Sequence, residues 1–213
     1  MTRLAPDGKP RYTKRTMNTI TTIKSTDALL LVDVQNTFCP GGTLPVTDGD
    51  AVVAPLNTLL PRFFGRVYAS QDWHPRNHCS FAAQGGIWPA HAVQDTDDAA
   101  LHPGLHANRI TQIVRKGTDT KRDAYSAFDG TGLAQTLRDA GIRRVFVAGL
   151  ATDYCVKASA IDAINAGFET VAVTDAVRAV DVHPGDGAAA LRHMRDAGVL
   201  IAVSGDLAVL PSE

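Results

Sequence analysis

Residues 144–155 read RVFVAGLATDYC, and the rest of the chain is organised around this stretch. An apolar run of high strand propensity enters a Gly-Leu-Ala-Thr-Asp turn, after which Tyr154 and Cys155 open an apolar-periodic segment through Val156, Ala158, Ala160 and Ile161. A strand that passes directly into a helix is the repeating unit of an α/β sheet, and ligands gather at the carboxyl ends of such strands. A helix N-terminus there presents unpaired N–H groups, and a cysteine beside them is expected to have a lowered pKa and to serve as a nucleophile. The same local pattern also suits a small buried filler, so other segments must separate the two readings.

Outward from this stretch the pattern repeats. Residues 28–34 (ALLLVDV) are almost continuously apolar, as a strand buried on both faces should be, and they reach Asp33. Strands are also expected at 66–70, 110–116, 170–174 and 199–203, and helices at 50–60, 130–140, 155–167 and 185–197. Gly141, Gly167 and Gly198 close the last three helices. Alternating strands and helices predict an α/β protein, with a central, mostly parallel sheet between two helical layers. No GxGxxG follows the first strand and no GxxxxGK[ST] occurs, so neither a dinucleotide fingerprint nor a P-loop is signalled.

Composition narrows the function classes. The chain has 213 residues, 20% of them charged, and a formal net charge of -1. These values fit one globular domain without a nucleic-acid surface. No apolar run is long enough to cross a membrane, and the N-terminal region has no secretory apolar core, which points to the cytoplasm. Residues 1–26 are read as a flexible basic extension, residues 27–213 as the domain, and Met17 as an alternative start. Cys39, Cys79 and Cys155 are too few and too widely spaced for a disulfide framework.

Two constellations carry chemistry. Asp33, Lys116 and Cys155 each fall at the carboxyl end of an expected strand. If the first strand lies beside the other two, the carboxylate can take the thiol proton while the ammonium holds the carboxylate and stabilises a thiolate. A buried Asp–Lys brace without chemistry is the alternative. The second constellation sits in the long irregular region 71–108, which holds five of the seven histidines. Asp72 and His74 alternate along an extended backbone, with His78 and His91 further on. A carboxylate and two imidazoles suit Zn²⁺, Fe²⁺ or Mn²⁺, with solvent-facing histidines as the competing reading. Phe38, Trp88 and Tyr125 could sandwich a flat ring or simply pack in the core.

The segments LLLVDVQNTFCPGGTLPV, ASQDWHPRNHCSF, IWPAHAV, VRKGTDTKRDAYSAF and GLATDYCVKASAIDA, in this order, resemble the nicotinamidase/pyrazinamidase family of isochorismatase-like hydrolases. The likeness runs from residue 27 to about 205. It implies the isochorismatase-like, Rossmann-like three-layer fold and a cysteine amidase that converts nicotinamide to nicotinate and ammonia in NAD salvage. Pyrazinamide is a second expected substrate. By matched position, Cys155 is the expected nucleophile, Asp33 the base and Lys116 the third member of the triad. The Ala151 and Cys155 N–H groups would form the oxyanion hole, behind a cis peptide between Leu150 and Ala151. Asp72, His74 and His91 match the ligands of one divalent metal ion, Zn²⁺ foremost, and His78 matches a ligand present in some members. Phe38 and Trp88 match ring-stacking residues and Tyr125 a pocket aromatic. Ala92 departs from the cysteine often found at that position. The expected partner is a small aromatic amide, with no nucleic acid and no membrane. A carbamoyl- or ureido-amide hydrolase of the same superfamily is the nearest alternative, and a catalytically silent metal-binding or scaffold protein is the non-enzymatic one.

Overall fold

The computed structural model describes residues 21–209. Six parallel strands form the central sheet: β2 (Asp27–Val32), β3 (Val67–Asp72), β4 (Gln112–Lys116), β5 (Arg144–Leu150), β6 (Glu169–Arg178) and β7 (Leu200–Ala202). Their spatial order is β4-β3-β2-β5-β6-β7. The chain therefore winds outward from β2 to one edge, then returns to β5 and winds to the other. The crevice beyond the carboxyl ends of β2 and β5 is the switch point at which such sheets bind ligands.

Strand alternation builds the three layers. Leu29 and Leu31 of β2 enter one core with Val53, Leu56 and Leu59 of α1 (Val53–Leu59). Ala28, Leu30 and Val32 enter the opposite core. There they join Leu133 and Leu137 of α2 (Leu133–Asp139), Ala160 of α3 (Lys157–Asn165) and Met194 of α4 (Asp186–Asp196). Both faces of β2 are thus covered, which explains why its sequence lacks the polar alternation of a half-exposed strand. At Gly149 a Cβ would lie 2.1 Å from the Val32 carbonyl oxygen, so only glycine lets β5 approach β2 this closely at the switch point.

The structure departs from the sequence expectations in three places. Residues 1–20 of the expected leader lie outside the described residues, but Thr21–Ile23 form β1, paired in parallel with β8 (Leu207–Val209). A three-residue strand carries no periodicity, and only its distant partner makes it legible. β6 runs through Arg178, four residues beyond its expected end, after a register shift opposite Val147 and Gly149. The turn at Thr152–Val156 is a single π-helical turn, and the α-helix begins only at Lys157.

At the other end of the sheet, Arg144 clamps the start of β2. Its Nη2 lies 2.5 Å from Asp27 Oδ2 and also donates to the Thr22 carbonyl at 2.7 Å, while Nε donates to Asp27 Oδ1 at 3.2 Å. Asp27 is fully buried, so removing it leaves the guanidinium without its counter-charge. Asp27→Ala is expected to lower unfolding free energy by about 3 kcal/mol in urea denaturation, with an unchanged slope.

Candidate active site

Four strand ends deliver the site. Asp33 follows β2, Asp72 ends β3, Lys116 ends β4, and Cys155 lies on the turn after β5. β2 does lie beside β5, but β3 separates it from β4, so the simple adjacency expected for Asp33 and Lys116 does not hold. Lys116 is paired in register with Asp72 and reaches past it on its long stem. Its Nζ lies 2.9 Å from Asp33 Oδ2, 2.5 Å from Asp72 Oδ1, 3.1 Å from the Ala124 carbonyl and 3.4 Å from Cys155 Sγ.

The ammonium donates to Asp72, to the Ala124 carbonyl and to the sulfur. Asp33 Oδ2 is ion-paired with the same ammonium at 2.9 Å, off the direction of a well-formed hydrogen bond. Among the described residues it is the one buried side-chain N or O atom left without a hydrogen-bond partner. The other carboxylate oxygen, Oδ1, accepts from Ser70 Oγ at 2.6 Å. One lone-pair site on Asp33 therefore stays open beside the thiol, with an Asp33 oxygen and Cys155 Sγ within 4.8 Å of each other. Orphaned buried acceptors are uncommon and mark places where a proton or ligand is handled.

Burial and charge set the protonation states. Burial works against the Lys116 ammonium, but the Asp33 and Asp72 carboxylates outweigh it and hold the pKa well above the ordinary value. Burial would raise Asp72, yet Lys116 and His74 pull it well below the usual carboxylate range. For Asp33 burial prevails over the attraction of Lys116, and the pKa rises. Cys155 is raised well above a free thiol by burial, and by Asp33 and Asp72 beyond what Lys116 can offset. This corrects the sequence expectation of a lowered thiol pKa. A strand–helix junction suggests a favourable dipole, whereas in the fold desolvation and two carboxylates dominate. A raised pKa favours the thiol form, whose proton has to leave as the sulfur reacts.

A second cluster adjoins the first. Asp72, His74 and His91 are buried, and their ligand atoms lie within 4.8 Å of one another. His74 Nδ1 is 2.9 Å from the Gly117 carbonyl and His91 Nδ1 is 2.8 Å from the Pro89 carbonyl. Because a carbonyl can only accept, both Nδ1 atoms carry a proton, and Nε2 is the atom each ring can turn toward an ion; His74 Nε2 lies 3.7 Å from Asp72 Oδ2. Gly117 makes the first contact possible, since a Cβ there would come 2.4 Å from the His74 ring. Two imidazoles oriented by backbone acceptors and one carboxylate make a donor set that fits a divalent cation.

His78 is arranged differently. Its ring stacks on His74 with centroids 4.1 Å apart. Its Nε2 faces the Arg122 carbonyl at 3.2 Å, and its Nδ1 faces Ser80 Oγ at 2.7 Å. Nε2 is then the donor and Nδ1 the acceptor, so neither lone pair is offered to an ion in this arrangement.

Above both clusters lies a cavity of about 450 Å³, part of it continuous with solvent. Asp72, His91 and Cys155 form its chemical floor, and Ala151 also contacts it. The Leu150–Ala151 peptide is cis. Phe38, Trp88 and Tyr125 all line the cavity, and Trp88 Nε1 donates to Tyr125 Oη at 3.0 Å. The sequence reading missed Leu44, Pro45, Tyr154 and Val180 on the same walls, which carry no chemical signal of their own. It also missed Gln35, whose fully buried side chain donates to the Asp72 carbonyl at 2.9 Å and accepts the Asp72 N–H at 2.8 Å. That pair of bonds locks the backbone of the residue shared by the two clusters. Cys39 and Cys79, given no role from sequence, lie outside this lining, and burial with Asp50 nearby pushes the Cys39 thiol up to about 11.

The isochorismatase domain matches residues 27–204. The chain is 42% identical to the nicotinamidase of Escherichia coli, across 82% of this chain and 93% of that protein. The crystal structure of PnC1 from L. infantum in complex with nicotinate superposes with a TM-score of 0.84 at 42% identity, covering 89% of this chain and 98% of that one. The pyrazinamidase of Pyrococcus horikoshii, in complex with zinc, gives a TM-score of 0.77 at 40% identity, covering 84% of this chain and 99% of that one. With a domain match over most of its length and relatives covered almost end to end, this chain belongs to the isochorismatase family.

Proposed function

We propose that this protein is a nicotinamidase that hydrolyses nicotinamide to nicotinate and ammonia through a Cys155 thioester, and that it also deamidates pyrazinamide. The observation that carries this reading is the unpartnered Oδ2 of Asp33 beside the buried Cys155, under a cavity walled by aromatic rings. The nicotinamidase, nicotinate-bound and pyrazinamidase relatives support the substrate class.

In this mechanism the pyridine ring lies between Phe38 and Trp88, with its carboxamide carbon over Cys155. Asp33 Oδ2 takes the thiol proton as the sulfur attacks, forming the C–S bond and placing negative charge on the amide oxygen. The Ala151 and Cys155 N–H groups receive that charge. Asp33 returns its proton to the departing nitrogen, ammonia leaves, and the acyl group remains on sulfur. Water then gives a proton to Asp33 and attacks the thioester. Breaking the C–S bond releases nicotinate, and the proton held by Asp33 restores the thiol. Lys116 stays charged throughout and steadies the sulfur and both carboxylates. Asp72, His74 and His91 would hold one divalent ion, Zn²⁺ on the precedent of the zinc-bound relative, which would orient the ring by its nitrogen and polarise it.

The test is steady-state ammonia release from nicotinamide, pyrazinamide and carbamoyl or ureido amides, with metal content measured on the same protein. Nicotinamide and pyrazinamide should turn over while the carbamoyl compounds lag by about 100-fold or more, because they offer no ring for the aromatic walls. Chelation should remove most of that activity and single-metal readdition should restore it. Equal rates on carbamoyl substrates would sink the assignment, and full activity after verified metal loss would reduce the Asp72–His74–His91 cluster to a structural role. The reading places the protein in NAD salvage in the cytoplasm. Its free cysteines suit a reducing compartment, and among the described residues no helix is long and apolar enough to cross a membrane.

A further inference from the structure

Asp153 lies two residues before Cys155 on the same turn, and the mechanism does not use it. It is buried, and both of its carboxylate oxygens are engaged by a segment far along the chain. The Val180 N–H donates to Oδ1 at 2.9 Å and the Asp181 N–H donates to Oδ2 at 2.9 Å. Val180 faces the same cavity as Cys155. From these contacts we infer that Asp153 is a positioning residue for the substrate, fixing the Val180 wall of the cavity relative to the nucleophile. The inference rests on the assignment of that cavity as the amide site.

The two sides of this contact are not equally secure. The turn keeps its own backbone bonds, from the Tyr154 and Val156 N–H groups to the Ala151 carbonyl, and it continues into α3. The other side is the connection between β6 and α4, where residues 181–185 are exposed. Asp181 has a φ of 51°, and its Oδ1 accepts the Gly187 N–H at 2.7 Å, which ties it forward to α4 but not to the site. Loss of the Asp153 carboxylate should therefore loosen the wall and leave the cysteine turn in place. Val180 would then contact the bound ring less well in ground state and transition state alike, an effect that appears in KM and spares kcat.

The experiment compares wild type, Asp153→Asn and Asp153→Ala by amide hydrogen exchange and by steady-state hydrolysis of nicotinamide. In Asp153→Ala, exchange at Val180 and Asp181 should quicken and KM should rise, each by about tenfold, with kcat within about twofold of wild type. Asp153→Asn keeps one acceptor on an isosteric side chain and should fall between, which leaves a testable variant if the alanine protein does not fold. Unchanged exchange at Val180 and Asp181 would overturn the inference, as would faster exchange with an unaltered KM, or a fall in kcat at constant KM. A wild-type protein that releases no ammonia from any amide would count against the functional assignment alone. The exchange measurement still decides whether Asp153 holds the wall.

Discussion

Cys155→Ala loses turnover by a factor on the order of 10⁴ or more, while nicotinate binding stays within a few-fold of wild type. The size follows from what else is present. Among the described residues no other thiol contacts the cavity, since Cys39 and Cys79 are absent from its lining. Asp33 and Asp72 lie beside Lys116 as its counter-charges, and Asp33 serves as the base, not as a nucleophile. The fold should tolerate the change. Lys116 gives up one of three hydrogen-bond acceptors and keeps Asp72 and the Ala124 carbonyl. The ring-binding walls are untouched. Ammonia release is read against nicotinate affinity measured by calorimetry. Residual turnover above about one per cent of wild type would rule out a thioester on this residue and leave direct attack by water.

Asp33→Asn should be nearly as damaging, with kcat lower by about 10³- to 10⁴-fold, and it should alter the thiol in the opposite direction. Asp33 occupies the left-handed region with φ of 49°, where asparagine is also at ease, and the carbonyl oxygen of the new amide can still accept from Ser70. The backbone therefore keeps its shape while the base is lost. Asp33 is also one of the groups that raise the Cys155 pKa, whereas Lys116 lowers it. Removing the carboxylate leaves the ammonium less opposed, so a larger fraction of sulfur is thiolate at a given pH. Iodoacetamide should then alkylate Cys155 faster in the variant than in wild type, although amide turnover collapses. Slower alkylation, or turnover close to wild type, would show that the proton goes elsewhere. Together the two results would locate the role of Asp33 in moving the proton from sulfur to ammonia, and not in maintaining a standing thiolate.

Much of this site was legible before any coordinates. The residues of β2 and β5 are apolar in long runs because both faces of those strands are covered, and such runs can be read locally. Lys116 ends β4, Asp33 follows β2 and Cys155 lies on the turn after β5, places where a buried ionisable group is costly unless it has a partner or a use. The Asp72–His74 spacing likewise suggested two potential ligands on one side of an extended segment, and the fold brings both together with His91. Other features had no local signature. Val180, Leu44 and Pro45 are ordinary apolar residues until the loops close around the cavity. β1 is three residues long and exists through its pairing with β8.

By itself the sequence determined a parallel α/β sheet and the chemical identity of the groups at its rim, because periodicity and burial act over a few neighbouring residues. The tertiary structure alone decided how those groups face one another. It put β3 between Asp33 and Lys116, left Asp33 Oδ2 beside the ammonium without a hydrogen-bond partner, and raised the thiol pKa where the local pattern implied the reverse. Electrostatics in a buried site depends on distances between residues remote in the chain and on the water that the fold excludes, and neither quantity is written in a local stretch of amino acids.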